Sequence, residues 1–171
     1  LPEVQHTNES AIYHAVEIAN SHFEKWSKTS PEERAQCLEQ LGHVIQHHMV
    51  EFIHLLILEG KKTINDAVAE VREAVDFCHY YAQQVRHYQE QTIILPGPTG
   101  ELNQLSYHSR GVFACISPWN FPLAIFIGQI AAAIGTGNCV IAKPAATTTH
   151  IAQLAVNLAY KVGIPKGVLQ L

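Results

Sequence analysis

Apolar positions recur along this chain with two different periods, and the change of period divides it. Between residues 9 and about 88 they fall at three- and four-residue steps. Leu38, Leu41, Ile45 and Met49 follow Ser30-Pro31-Glu32-Glu33, and Ala67, Val71, Ala74, Val75, Cys78 and Tyr81 share one face after Asn65-Asp66, with Glu70, Arg72, Glu73 and Asp76 mostly off it. That spacing predicts amphipathic helices. Ser30 and Glu33 predict where one of them starts, because each side chain can satisfy a backbone N–H that the first turn leaves free, and Pro31 has no N–H to lose there. A layer of such helices needs an apolar partner.

Pro96-Gly97-Pro98-Thr99-Gly100 ends this half with a cluster of turn residues. In residues 102–109 Leu105 and Tyr107 alternate with Gln104 and Ser106, a period of two that predicts a half-exposed strand at an edge or in a hairpin. After Gly111 the pattern becomes short continuous apolar runs. Residues 112–116 and 139–142 read as buried strands, 121–134 and 149–162 as helices, and Val168-Leu169 as the start of a third strand. This order predicts an α/β fold: a helical layer followed by the first part of a doubly wound, parallel, Rossmann-like sheet. The chain opens on Leu1-Pro2 and stops on an apolar run, so the sheet is expected to be incomplete and the chain part of a longer protein.

Composition narrows the function classes. Lys and Arg number 11 against 15 Asp and Glu, a formal charge of −4, and no basic block or stripe is present. Tracking of a nucleic-acid backbone by this segment is thereby excluded. Four cysteines, Cys37, Cys78, Cys115 and Cys139, show no Cys-x-x-Cys spacing and read as reduced thiols of a cytoplasmic protein. No signal peptide is recognisable, and the most apolar stretch, residues 112–133, is interrupted by Pro118, Asn120, Pro122, Gly128 and Gln129, which argues against a membrane span. His43 and His47 stand four apart but lack the glutamate of a zinc-binding helix, so no metal site is expected.

In open parallel sheets ligands lie beyond the carboxyl ends of the strands. Asn120 and Lys143 both fall just past such ends. Pro118 and Pro122 stiffen the backbone on either side of Asn120, and a primary amide held there can donate two hydrogen bonds without carrying charge, as a developing oxyanion requires. An asparagine in this setting also serves as an ordinary turn or cap, and a lone lysine as a solvated surface residue. Gly135-Thr136-Gly137 precedes a strand and lacks a third glycine, so it reads as a helix end and tight turn.

The segments "CISPWNFPLAIF", "GQIAAA", "AEVREAVDF" with "YYA" after it, "GN" ahead of "AKP", and "GIPKGVLQL" resemble the aldehyde dehydrogenase superfamily. Within it they are similar to the pyrroline-5-carboxylate (glutamate semialdehyde) dehydrogenase domain of the bifunctional proline utilization A family, over roughly residues 26–171. The resemblance implies an NAD(P)-dependent oxidation of L-glutamate γ-semialdehyde to glutamate in proline catabolism, through a cysteine thiolate and a glutamate-activated water. It gives Asn120 the oxyanion role, Ile116, Trp119 and Lys143 contacts with the cofactor, and Phe121 and Glu73 places beside the substrate pocket. It divides the chain into 1–95, the helical part of the cofactor-binding domain, 96–110, an oligomerisation-type arm, and 111–171, the first half of the NAD(P)-binding sheet.

The resemblance also implies a homo-oligomeric parent and, where the parent carries a proline dehydrogenase domain in the same chain, FAD there. The family's phosphate-binding turn, general-base motif and nucleophile motif do not occur in these 171 residues, so the chain by itself is expected to be inactive. A non-catalytic interaction module derived from the family is the alternative. Where the family commonly carries an acidic residue three positions after the lysine, this chain has Ala146, which opens the choice between NAD and NADP.

Overall fold

The structure, a computed structural model, describes residues 7–171. Four helices come first: α1 (Glu9–Ser27), α2 (Pro31–His47), α3 (Met49–Leu58) and α4 (Ile64–Gln89). Side chains at their starts explain where three of them begin. Asn8 accepts from the Ala11 N–H, Thr63 accepts from Asp66, and Ser30 with Glu33 forms the anticipated reciprocal box. Met49 was expected to continue α2, but the chain bends by 70° at His48 and starts α3 there. The bend turns Phe52 and Leu56 into the core, where both are fully buried.

A two-stranded antiparallel hairpin follows, β1 (Ile93–Leu95) against β2 (Asn103–Leu105). The strand expected over 102–109 contracts to three residues and is a hairpin arm, the second of the two settings anticipated; its partner at 93–95 was not located, since three apolar residues are too short a run to show a period. Asn103 Nδ2 donates to the Pro96 carbonyl at 2.8 Å and ties the intervening loop.

The α/β part is as expected in kind. β3 (Val112–Ile116), α5 (Ala124–Gly135), β4 (Cys139–Lys143), α6 (Thr149–Lys161) and β5 (Leu169–Gln170) form a parallel sheet in the order β3-β4-β5. The β3 and β4 register places Ile116 opposite Lys143. Two expectations need correction. α5 starts at Ala124, three residues late, because residues 121–123 form a turn. β3 is not a buried strand: only Cys115 is buried, while Phe113, Ala114 and Ile116 are exposed, for among the described residues β3 is paired on one side only.

One continuous core joins helices and sheet. Trp26, Leu41, Phe52 and Val71 from the helical layer pack in the same cluster as Phe126, Ile130, Val140, Ile151 and Leu169. At the end of α5, Gly137 takes a φ of +86°, and the N–H groups of Gly137 and Asn138 bond back to the carbonyls of Ile134 and Ala133. This is the helix end and tight turn expected of Gly-Thr-Gly. No single described helix is long and apolar enough to cross a membrane.

Candidate functional site

α5 is apolar but for Gln129 and carries no acidic residue in its first turn, no basic residue in its last, and no side-chain cap of its own. Its ends are satisfied by the helical layer instead. At the N-terminus, Glu70 Oε1 on α4 accepts from the backbone N–H of Leu123 at 2.8 Å and of Ala124 at 3.3 Å. At the C-terminus, Trp26 Nε1 donates to the Ile134 carbonyl, Arg34 Nε to Gly135 and Gln89 Nε2 to Thr136. A carboxylate thus faces the positive end of the helix and a guanidinium the negative end, the favourable sense for the helix dipole.

Glu70 was expected mostly off the apolar face. It is 1% exposed instead. Its position between Ala67 and Ala74 lies on the buried stripe, and it tolerates burial because Oε1 takes two backbone N–H donors while Oε2, which meets no hydrogen-bond geometry, is ion-paired. Oε2 stands 2.6 Å from Lys62 Nζ, and that ammonium lies 4.2 Å from the centroid of the Phe121 ring. Sequence reasoning passed over Lys62 and Glu70. The signal available was a charged residue inside a run of otherwise small and apolar stripe positions.

The turn between β3 and α5 is anchored at its start as well. Ser117 N–H donates to the Lys143 carbonyl at 3.1 Å, extending the ladder by one residue, and Gln129 Nε2 on α5 donates to the Ile116 carbonyl at 3.1 Å. Between these anchors and those on Leu123 and Ala124, the side chains of Trp119, Asn120 and Phe121 are exposed. Among the described residues the Asn120 amide has no hydrogen-bond partner. A turn or capping asparagine would bond its own neighbouring backbone. This one is left free beyond the end of β3.

Lys143, at the end of β4, is exposed and sits in register beside Ile116, itself 64% exposed. Two polar atoms nearby, Ser117 Oγ and Gln129 Oε1, are buried without a partner among the described residues. Ala146 lies exposed in the turn after β4. Glu73 is exposed on α4 and makes no hydrogen bond or ion pair among the described residues; the carboxylate that reaches the start of α5 is Glu70. The thiols are unsuited to attack: burial pushes Cys115 and Cys139 up to about 11 and Cys78 up to about 12, so almost no thiolate exists at neutral pH.

The sequence profile of the aldehyde dehydrogenase family matches residues 1–171. The chain belongs to that family. Among aldehyde dehydrogenase relatives, the bifunctional protein PutA of Salmonella typhimurium is 43% identical over 163 residues, which are 95% of this chain and 11% of the relative. The 1-pyrroline-5-carboxylate dehydrogenase 1 of Halalkalibacterium halodurans is 39% identical over 166 residues, 97% of this chain and 32% of the relative. In fold, a mutant of Bradyrhizobium japonicum proline utilization A matches 98% of the chain and 17% of that protein, with a TM-score of 0.93 at 48% identity. The 1-pyrroline-5-carboxylate dehydrogenase from Thermus, solved with bound NAD, matches 95% of this chain and 32% of that protein, at a TM-score of 0.88 and 32% identity. The chain therefore spans about a tenth of the PutA relatives and about a third of the dehydrogenases.

Proposed function

We propose that this chain forms part of an NAD-dependent aldehyde dehydrogenase that oxidises L-glutamate γ-semialdehyde to glutamate, and that it supplies the oxyanion donor and part of the cofactor site. The observation that carries the reading is the free Asn120 amide, exposed beyond the carboxyl end of β3 on a turn anchored at both ends. When a thiolate adds to the aldehyde carbon, the carbonyl oxygen gains a full negative charge. An Asn120 N–H aimed at that position stabilises it without reorganising, since the turn is fixed before substrate arrives. The thiolate and the general base come from parts of the protein outside this chain, consistent with the high thiol pKa values here.

The residues at the strand ends fit the adenosine end of a dinucleotide. Ile116 offers an exposed apolar face and Lys143 an ammonium donor for ribose hydroxyls at the paired ends of β3 and β4. Trp119 stands on the same turn. NAD, when bound, supplies the hydride acceptor. Phe121 lines the approach to the aldehyde; Glu73 is kept as a pocket residue of the same proposal. The relatives' greater length supports a parent that extends beyond this chain, with FAD only where that parent carries a proline dehydrogenase domain, and the hairpin's exposed Ile94, Leu95 and Leu105 support a homo-oligomer.

The test is Asn120→Ala in the full-length protein. Turnover should fall by about 10²–10³, as when one oxyanion donor is removed, while NAD affinity stays unchanged. Turnover within a few-fold of wild type would reject the reading.

A further inference from the structure

We infer that Lys62 and Glu70 form a positioning clamp for the turn that carries Asn120 and Phe121. The inference rests on the proposed roles of those two residues. A buried ion pair is an expensive way to join two elements, because desolvating both charges offsets most of their attraction. Here the pair does what two apolar side chains cannot. Glu70 divides its oxygens between the first N–H groups of α5 and the Lys62 ammonium. The ammonium in turn stands 4.2 Å from the centre of the Phe121 ring, an arrangement favoured by the ring quadrupole, with the cation mostly buried and the ring partly open to solvent.

The loop before α4 is shaped to deliver this cation. Lys61 takes a left-handed φ of 55°, unusual for a residue with a Cβ, and the next residue turns its side chain inward until only 12% of it remains exposed. Asn120 is therefore held from two sides. The sheet holds Ser117 through the Lys143 carbonyl, and the helical layer holds Phe121, Leu123 and Ala124 through Lys62 and Glu70. Neither Lys62 nor Glu70 needs to touch the reacting atoms. Their part is to fix the direction of the amide and the plane of the ring.

The experiment compares Lys62→Met, Lys62→Arg and Glu70→Gln in the full-length protein by steady-state kinetics, NAD titration and amide hydrogen exchange. Lys62→Met keeps the packed stem and removes the charge. It should lower kcat/KM for the aldehyde by roughly 10- to 100-fold, the scale of a small misplacement, with NAD affinity unchanged. Lys62→Arg should recover to within about threefold, since it keeps the cation over the ring. In Glu70→Gln, exchange at Leu123 and Ala124 should accelerate about tenfold or more while Ile130 stays protected. Kinetics of Lys62→Met within about threefold of wild type, or an equal loss of NAD affinity, would overturn the inference; so would unchanged exchange at both amides. If Asn120→Ala is silent while the amides and the Lys62→Met kinetics respond as expected, the oxyanion reading falls and the clamp stands as the positioning of Phe121 and the start of α5 alone.

Discussion

The proposed cofactor site puts the choice between NAD and NADP to the test at Ala146. This residue lies exposed in the turn after β4, three residues beyond Lys143, where the family commonly places a carboxylate for the ribose hydroxyls. An alanine accepts no hydrogen bond and carries no charge to repel a 2′-phosphate. Ala146→Glu in the full-length protein should restore a charged hydrogen bond of about 1.5–3 kcal/mol, about ten- to a hundredfold tighter NAD binding, and weaken NADP binding. Titration of both cofactors into wild type and variant checks it, and equal affinities would mean that Ala146 does not face the ribose. At this scale the sequence was partly legible. Asn120 and Lys143 were placed by the rule that ligands gather at strand ends and Ile116 by the family resemblance, and the structure pairs the ends of β3 and β4. Lys62 and Glu70 were not: the one local signal was a charge within the apolar stripe, and their partners on the turn and at the start of α5 stand more than fifty residues away.

At the scale of elements, helix ends show what pattern reading resolves. The Ser30 box was legible because donor and acceptor lie within four residues of each other. The capping of α5 was not, because Glu70, Trp26, Arg34 and Gln89 come from three other helices. Arg34→Met should therefore cost about 2–4 kcal/mol of unfolding free energy, since charged hydrogen bonds contribute about 1.5–3 kcal/mol each and do not add fully. Denaturant titration measures it. A second guanidinium joins α2 to α4: Arg86 bonds both oxygens of Glu32 and of Glu39. Hydrogen bonding from Arg86, with help from Gln36, holds Glu32 at about 2, and Glu39 is lowered by the same cation. A carboxylate depressed on folding adds stability above its unfolded value near 4.5, and that stability is lost as pH falls towards 2. Arg86→Met should lower the melting temperature at pH 7, and the two melting curves should converge as the pH approaches 2. A gap that persists in acid would assign the effect to packing of the arginine stem.

Across the whole molecule, the helical layer and the sheet share one core, so the layer that looked in sequence like a separate half is the part that sets α5 and hence the site. Period alone could not show this, since it reports which face of each element is apolar and not which element covers it. The same limit explains why β3 read as buried: a short apolar run looks alike whether or not a neighbour covers it. In this chain the uncovered surface is substantial. β3 is unpaired on one edge and exposes Phe113 and Ile116, while the hairpin exposes Ile94, Leu95 and Leu105, and Leu102 is exposed in the loop that joins its strands. An unpaired strand edge beside exposed aromatic and aliphatic side chains is a template for association. The 171-residue chain produced by itself should therefore self-associate, with a sedimentation coefficient and a melting temperature that both rise with concentration. Lysine at position 113, placed on the edge strand, should reduce the association if β3 is the contact, because an edge charge disfavours strand pairing; Leu102→Lys should reduce it if the hairpin is. A monomer whose melting is independent of concentration would show that neither surface is adhesive and that the packed core already suffices.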